Sequence, residues 1–163
     1  MSEGQIGRSI KGEVSNLMFT RILLAYDGSH HAQRALAVTL DLAQRYGAKV
    51  YAVSVAHVPE FADTRDEVNG ALEDASNFYD KLLREAREAA SRKGIELETR
   101  VVPGHPADAL ARFAEEKGCD LIVVGARGRS GVTRYILGSA SEAVVRYAHC
   151  SVLVVKDTTL QTG

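Results

Sequence analysis

The sequence predicts an α/β fold, a doubly wound five-stranded parallel sheet in the order 3-2-1-4-5 with helices on both faces, Rossmann-like in plan. Three observations predict it. From Thr20 onward, short β-branched runs alternate with long stretches of helical periodicity, the pattern of a parallel sheet covered on both sides. The third run, Ile95 to Val101, alternates strictly and carries Glu96, Glu98 and Arg100, which places it at an edge. The fourth, Leu121 to Val124, is apolar on both faces and therefore central. Right-handed crossovers leave few windings that satisfy both placements.

The elements follow in order. Arg21 to Tyr26 forms the first strand and ends at Asp27-Gly28; Ser29 then caps a helix with Ala32, Ala35, Leu36, Leu40 and Ala43 on one face, stopped by Gly47. Val50 to Val55 is the second strand, and a polar loop from His57 to Asp66 leads to a longer helix carrying Leu72, Ala75, Tyr79, Leu82, Ala86 and Ala89, ended by Gly94. After the third strand, His105 is expected to cap a helix that begins at Pro106, shows Ala107, Leu110, Ala111 and Ala114 on one face, and stops at Gly118. The fourth strand ends at Gly125. A glycine-rich loop to Gly138 follows, then a helix from about Ala140 to Tyr147 and a last strand, Val152 to Val155.

The chain has 163 residues, 45% apolar and 25% charged, the composition of one globular domain. That domain is expected over residues 19–157, between a loose N-terminal arm, 1–18, and a polar tail, 158–163. Twenty Lys and Arg against twenty-one Asp and Glu give a net charge of −1, so no global field draws the chain to nucleic acid or to an anionic membrane. No apolar run reaches the roughly 18 residues of a membrane span, and the first residues lack a secretory signal core. Cys119 and Cys150 have neither Cys-x-x-Cys spacing nor clustered histidines, which disfavours a zinc site or a disulfide scaffold. A cytoplasmic address is expected, with no nucleic-acid and no membrane partner.

The order 3-2-1-4-5 reverses between strands one and four, and ligands of such sheets bind beyond the carboxyl ends of the strands at the reversal. Asp27-Gly28 and the segment Gly125-Ala126-Arg127-Gly128-Arg129-Ser130-Gly131 meet there. Glycines let a backbone approach a ligand closely and turn its amides onto an anion. Ser139-Ala140-Ser141-Glu142 reads as a capping box opening a helix, whose free N–H groups favour phosphate. Two readings of the loop stay open on composition, a phosphate cradle and a merely flexible connection. Arg127, Arg129 and Arg134 read either as phosphate contacts or as solvated loop surface, and Asp27 either as a site residue or as the turn residue that precedes Gly28.

The spacing is neither that of the P-loop nor G-x-G-x-x-G. It is Gly125, two residues, Gly128, nine residues, then Gly138-Ser139, and it closely resembles the nucleotide-binding motif of the universal stress protein family. Asp27-Gly28-Ser29 after strand one, Gly104-His105-Pro106 before the third helix, Asp120 to Gly125, and Ser151 to Val155 extend the resemblance over about residues 19 to 156. The resemblance implies a domain of the ATP-binding type, usually a dimer, active in stress responses. It implies Ala25 and the backbone of Val55 beside the adenine, and Asp27 beside ribose and phosphates, where it is the one candidate Mg²⁺ ligand. It further implies Gly125, Arg127, Gly128, Arg129, Ser130 and Gly131 around ribose and phosphates, with Gly138, Ser139, Ala140 and Ser141 at the phosphate-binding helix start. Ala25-Tyr26 departs from the short residues many members carry there, which alters the shape of the adenine pocket.

No histidine has a recognisable catalytic partner or ligand spacing, and no hydrolase motif is present. The function expected is therefore nucleotide binding as a module or sensor. Slow Mg²⁺-dependent ATP hydrolysis is the alternative, weak because no water-activating base is evident. Val152, Leu153, Val154 and Val155 form an apolar edge without protecting charges, which predicts a homodimer through the last strand; the alternative cover is the arm or the tail.

Overall fold

The computed structural model of the chain describes residues 19–57, 64–127 and 137–157. The arm and tail, and the expected loop residues Gly128, Arg129, Ser130, Gly131 and Arg134, lie outside the described residues. The elements are β1 (Arg21–Ala25), α1 (His30–Tyr46), β2 (Lys49–Ala56), α2 (Arg65–Arg92), β3 (Leu97–Pro103), α3 (Pro106–Lys117), β4 (Leu121–Gly125), α4 (Ser139–Tyr147) and β5 (Ser151–Val155). All strand pairs are parallel, in the order β3-β2-β1-β4-β5.

The punctuation that the sequence carries is used almost throughout. The Ser29 hydroxyl accepts from the Ala32 N–H at 3.2 Å, and Gly47 closes α1 in the left-handed region at φ 65°. Pro106 occupies the first turn of α3, and Gly118 ends it at φ 65°. Three local expectations are corrected. His105 stands at the N-cap of α3, yet its side chain makes no capping bond. The reciprocal capping box of the molecule is at α2, between Thr64 and Glu67, rather than at Ser139 and Glu142; α4 is preceded by Gly138 with no side-chain cap. The third strand begins two residues later than its alternation implies, because the Ile95 N–H closes the end of α2 on the Ala90 carbonyl at 2.9 Å and is not free to pair.

Alternating side chains divide the core into two layers. Ile22, Leu24, Tyr26, Ala52 and Val123 pack under α1 and α2 against Leu36, Leu40, Leu83, Ala86 and Ala90. Leu23, Tyr51, Val53, Ile122 and Val124 pack under α3 and α4 against Leu110, Phe113, Ala114 and Val144, with the Tyr51 and Phe113 rings edge to face at 5.6 Å. Each central strand is thus buried on both faces, as the apolar run of β4 requires. At the amino ends of β1 and β4 the Asp120 carboxylate accepts from the Thr20 N–H at 2.9 Å, the Thr20 hydroxyl at 2.9 Å and the Arg21 N–H at 3.2 Å, fixing their register from below. The upper, carboxyl ends are held apart and form the site.

Candidate functional site at the sheet reversal

A cavity of about 740 Å³ opens where β1 and β4 diverge, within the usual range for a small-molecule site. Its floor is a slot on the α3/α4 face, walled by Ala25, Val53 and Val55 from the sheet, Pro106 and Leu110 from α3, and Val124 and Val144. This wall is entirely apolar. Over the edge of the sheet the lining turns polar, with Asp27, Ser29 and Arg127, and meets the first turn of α4 at Ala140 and Ser141. His57 stands at the rim with its ring 6.0 Å from that of His105. On the opposite face Tyr26, Ala32 and Tyr79 complete the cavity.

The turn Asp27-Gly28-Ser29 is built by its own chemistry. One Asp27 carboxylate oxygen accepts from the Ser29 N–H at 3.0 Å, and Gly28 has φ 78°. Asp27 thus closes the turn, and it also lines the cavity. Burial raises the Tyr26 hydroxyl above its ordinary range, and the carboxylates of Glu85 and Asp27 push it the same way, so it stays protonated. Below it, the Ser54 hydroxyl donates to the Tyr26 carbonyl at 2.6 Å and the Tyr26 N–H donates to Val53, which ties the end of β1 to β2.

The two ends of the glycine loop are pinched together. The Ala126 N–H donates to the Val155 carbonyl and the Gly138 N–H to the Ala126 carbonyl, each at 2.7 Å, while the Ser141 hydroxyl donates to the Gly125 carbonyl at 2.5 Å. The Ser141 side chain is therefore spent on the fold. Within α4, Glu142 is the first residue bonded back, to the Gly138 carbonyl at 3.0 Å, so the N–H groups of Ser139, Ala140 and Ser141 have no acceptor inside the helix. They form the positive end of a helix dipole at the mouth of the cavity. An anion with an apolar ring attached fits this donor set: the ring in the slot, the anion at α4 and Arg127.

Of the expected site residues, Ala25, Asp27, Val55, Gly125, Arg127, Ala140 and Ser141 line one cavity, and Gly138 and Ser139 stand at the helix start beside it. His57, Tyr79, Leu110 and Val144 also line the cavity and were not foreseen there. Leu110 and Tyr79 carried a signal, their place on the apolar stripes of α3 and α2.

The universal stress protein family model matches residues 18–156 of this chain. The chain belongs to the universal stress protein family. It is 34% identical over 143 residues to a universal stress protein of Methanocaldococcus jannaschii, covering 85% of this chain and 83% of that one. Among solved structures it is similar to a universal stress protein in complex with cAMP, with TM-score 0.68 and 30% identity over 85% of this chain and 97% of the other. It is also similar to a universal stress protein from Archaeoglobus fulgidus in complex with dAMP, with TM-score 0.58 and 25% identity over 85% and 99%. This universal stress protein has no helix among its described residues that is long and apolar enough to cross a membrane.

Proposed function

We propose that this protein binds an adenine nucleotide, ATP with Mg²⁺, and serves as a cytoplasmic stress-response module whose occupancy changes a partner's behaviour. The observation that carries the reading is the apolar slot opening onto Arg127 and onto the first turn of α4, whose N–H groups have no acceptor inside the helix. The adenine lies between Val55, Leu110 and Val144, its edge read by the backbone at the end of β2. The phosphates lie at the glycine loop and the start of α4, where backbone donors and the helix dipole favour them. The Asp27 oxygen that does not accept from Ser29 would hold the Mg²⁺. The cAMP and dAMP complexes of two similar proteins support an adenine nucleotide as the ligand. The protein pairs with a second copy of itself through β5.

The test is nucleotide retained through purification, identified by chromatography, followed by titration calorimetry with ATP and adenosine. Arg127→Ala is expected to weaken ATP by about tenfold while leaving adenosine unchanged; equal affinity for ATP in both chains would overturn the assignment. Phosphate release over hours separates a module from a hydrolase, and steady release would replace the module reading. Asp27→Ala is expected to remove most of the gain in affinity that Mg²⁺ gives, and equal losses with and without Mg²⁺ would make Asp27 a turn residue only.

A further inference from the structure

An adenine nucleotide placed in this way leaves one end of the cavity unused. The slot belongs to the α3/α4 face, whereas Tyr26 and Tyr79 line the cavity on the α1/α2 face. The two ends are on opposite layers because consecutive residues of the chain leaving β1 point to opposite faces: Ala25 packs with the α3/α4 layer and Tyr26 with the other. Tyr79 is held by a helix rather than a loop. One turn later on α2, Leu83 is fully buried, and Leu82 lies so close to Gly28 that a side chain at Gly28 would meet it at 2.9 Å. The ring is thus placed by the same contact that places the Asp27 turn.

The chemistry of this end differs from the middle. It is lined by Tyr26, Ala32 and Tyr79, two aromatic rings and a methyl group with no cation to meet a phosphate. Such a lining favours a neutral or cationic ring, which the Tyr79 face can stack. Between the two ends lie Arg127 and the first turn of α4, whose N–H groups have no acceptor inside the helix. The end of the sheet stands between the two ends of the cavity, so rings in both are reached by one molecule only through a linker, and the donors between them call for an anionic one. Crevices at the reversal of doubly wound sheets bind two-headed ligands in this manner.

We propose that the site takes a dinucleotide, an adenosine phosphate whose phosphate chain carries a second ring-bearing group, with that second ring against Tyr79. The proposal rests on the adenine-nucleotide reading. Two sources supply the shared chemistry, a second purine or a cationic pyridinium, and the probes distinguish them. Calorimetry with Mg²⁺ compares ATP, diadenosine tetraphosphate and NAD⁺ on the parent chain, on Tyr79→Ala and on Tyr79→Phe. At least one dinucleotide is expected to bind about tenfold more tightly than ATP. Tyr79→Ala, with a thermal midpoint near the parent's to show it folded, returns the dinucleotide to within about threefold of ATP on the same variant, and Tyr79→Phe keeps most of the gain. ATP bound with no dinucleotide preferred to it overturns this proposal alone. The same holds if Tyr79→Ala weakens ATP and dinucleotide alike. A chain that binds none of the three overturns the nucleotide reading with it.

Discussion

Gly125 ends β4 against the start of α1 with no room for a side chain: a Cβ there would lie 2.8 Å from the His31 Cβ, 2.9 Å from the His31 carbonyl carbon and 3.0 Å from the Ala32 nitrogen. Two of these are backbone atoms, so a methyl group must push the helix off the strand. Gly125→Ala is expected to cost about 1–3 kcal/mol in a urea titration and to weaken ATP, because the displaced turn carries Ser29. Cys119 makes a prediction of a different kind. Burial is the first cause that pushes its thiol up, to about 11 from an ordinary 9.0, with Cys150 and Asp120 adding to it. The folded chain therefore keeps a proton that the unfolded chain gives up near its ordinary 9.0. The thiol's contribution to stability is complete below that pH and is lost as pH rises through about 11. A Cys119→Ala chain should show a shallower decline in unfolding free energy between about pH 9.0 and about 11 than the parent, and an equal slope in both would remove Cys119 as a cause.

At the scale of elements, the beginnings of helices do the positioning. Ser29→Ala removes the acceptor of the Ala32 N–H and is expected to cost about 1 kcal/mol, read from the thermal midpoint. Ser141→Ala breaks the bond that pins α4 to the end of β4; about 1 kcal/mol of stability should go, while ATP affinity is expected to change by less than about threefold, because in the proposed mode the phosphates meet backbone N–H groups. A loss of ATP affinity as large as that of Arg127→Ala would instead make the hydroxyl a ligand. These elements were largely legible in the sequence. Ser29, Gly47, Pro106 and Gly118 are local signals read by local rules, and the apolar alternation of the strands fixed the sheet order. The capping box expected at Ser139 fails by one residue: Gly138 takes the N-cap, so Ser139 and Glu142 do not stand at the two positions a box requires, and the start of the helix is set by the long-range bonds that close the loop ends. That Tyr26 and Tyr79 line one cavity depends on how α2 is set against the sheet, with Leu82 beside Gly28, and no spacing within either segment records it.

Across the whole molecule the two sheet edges are unlike. At β3, Glu98 pairs with Lys49 at 3.3 Å and with Arg100 at 2.7 Å, which covers that edge with charge. At β5, Val152, Leu153 and Val154 are half-buried and uncharged, and Val145 on the adjoining α4 is 50% exposed. The dimer proposed through β5 predicts that light scattering finds two copies at micromolar concentration and that Val154→Lys yields monomer; a monomeric parent would refute it. The staple at the opposite seam has a consequence for how the protein comes into being. Thr20 and Asp120 are 100 residues apart, yet they join the two strands between which the cavity opens, so a ribosome must release α3 and β4 before any pocket exists. Cut between β3 and α3, the chain becomes two pieces, each carrying one wall: Asp27 and Val55 on the first, Arg127 and Ser141 on the second. A molecule that touches both walls is then mortar. Co-expressed halves divided after Gly104 should reassemble, and saturating ATP should tighten their association in proportion to its occupancy, as measured by sedimentation with and without the nucleotide.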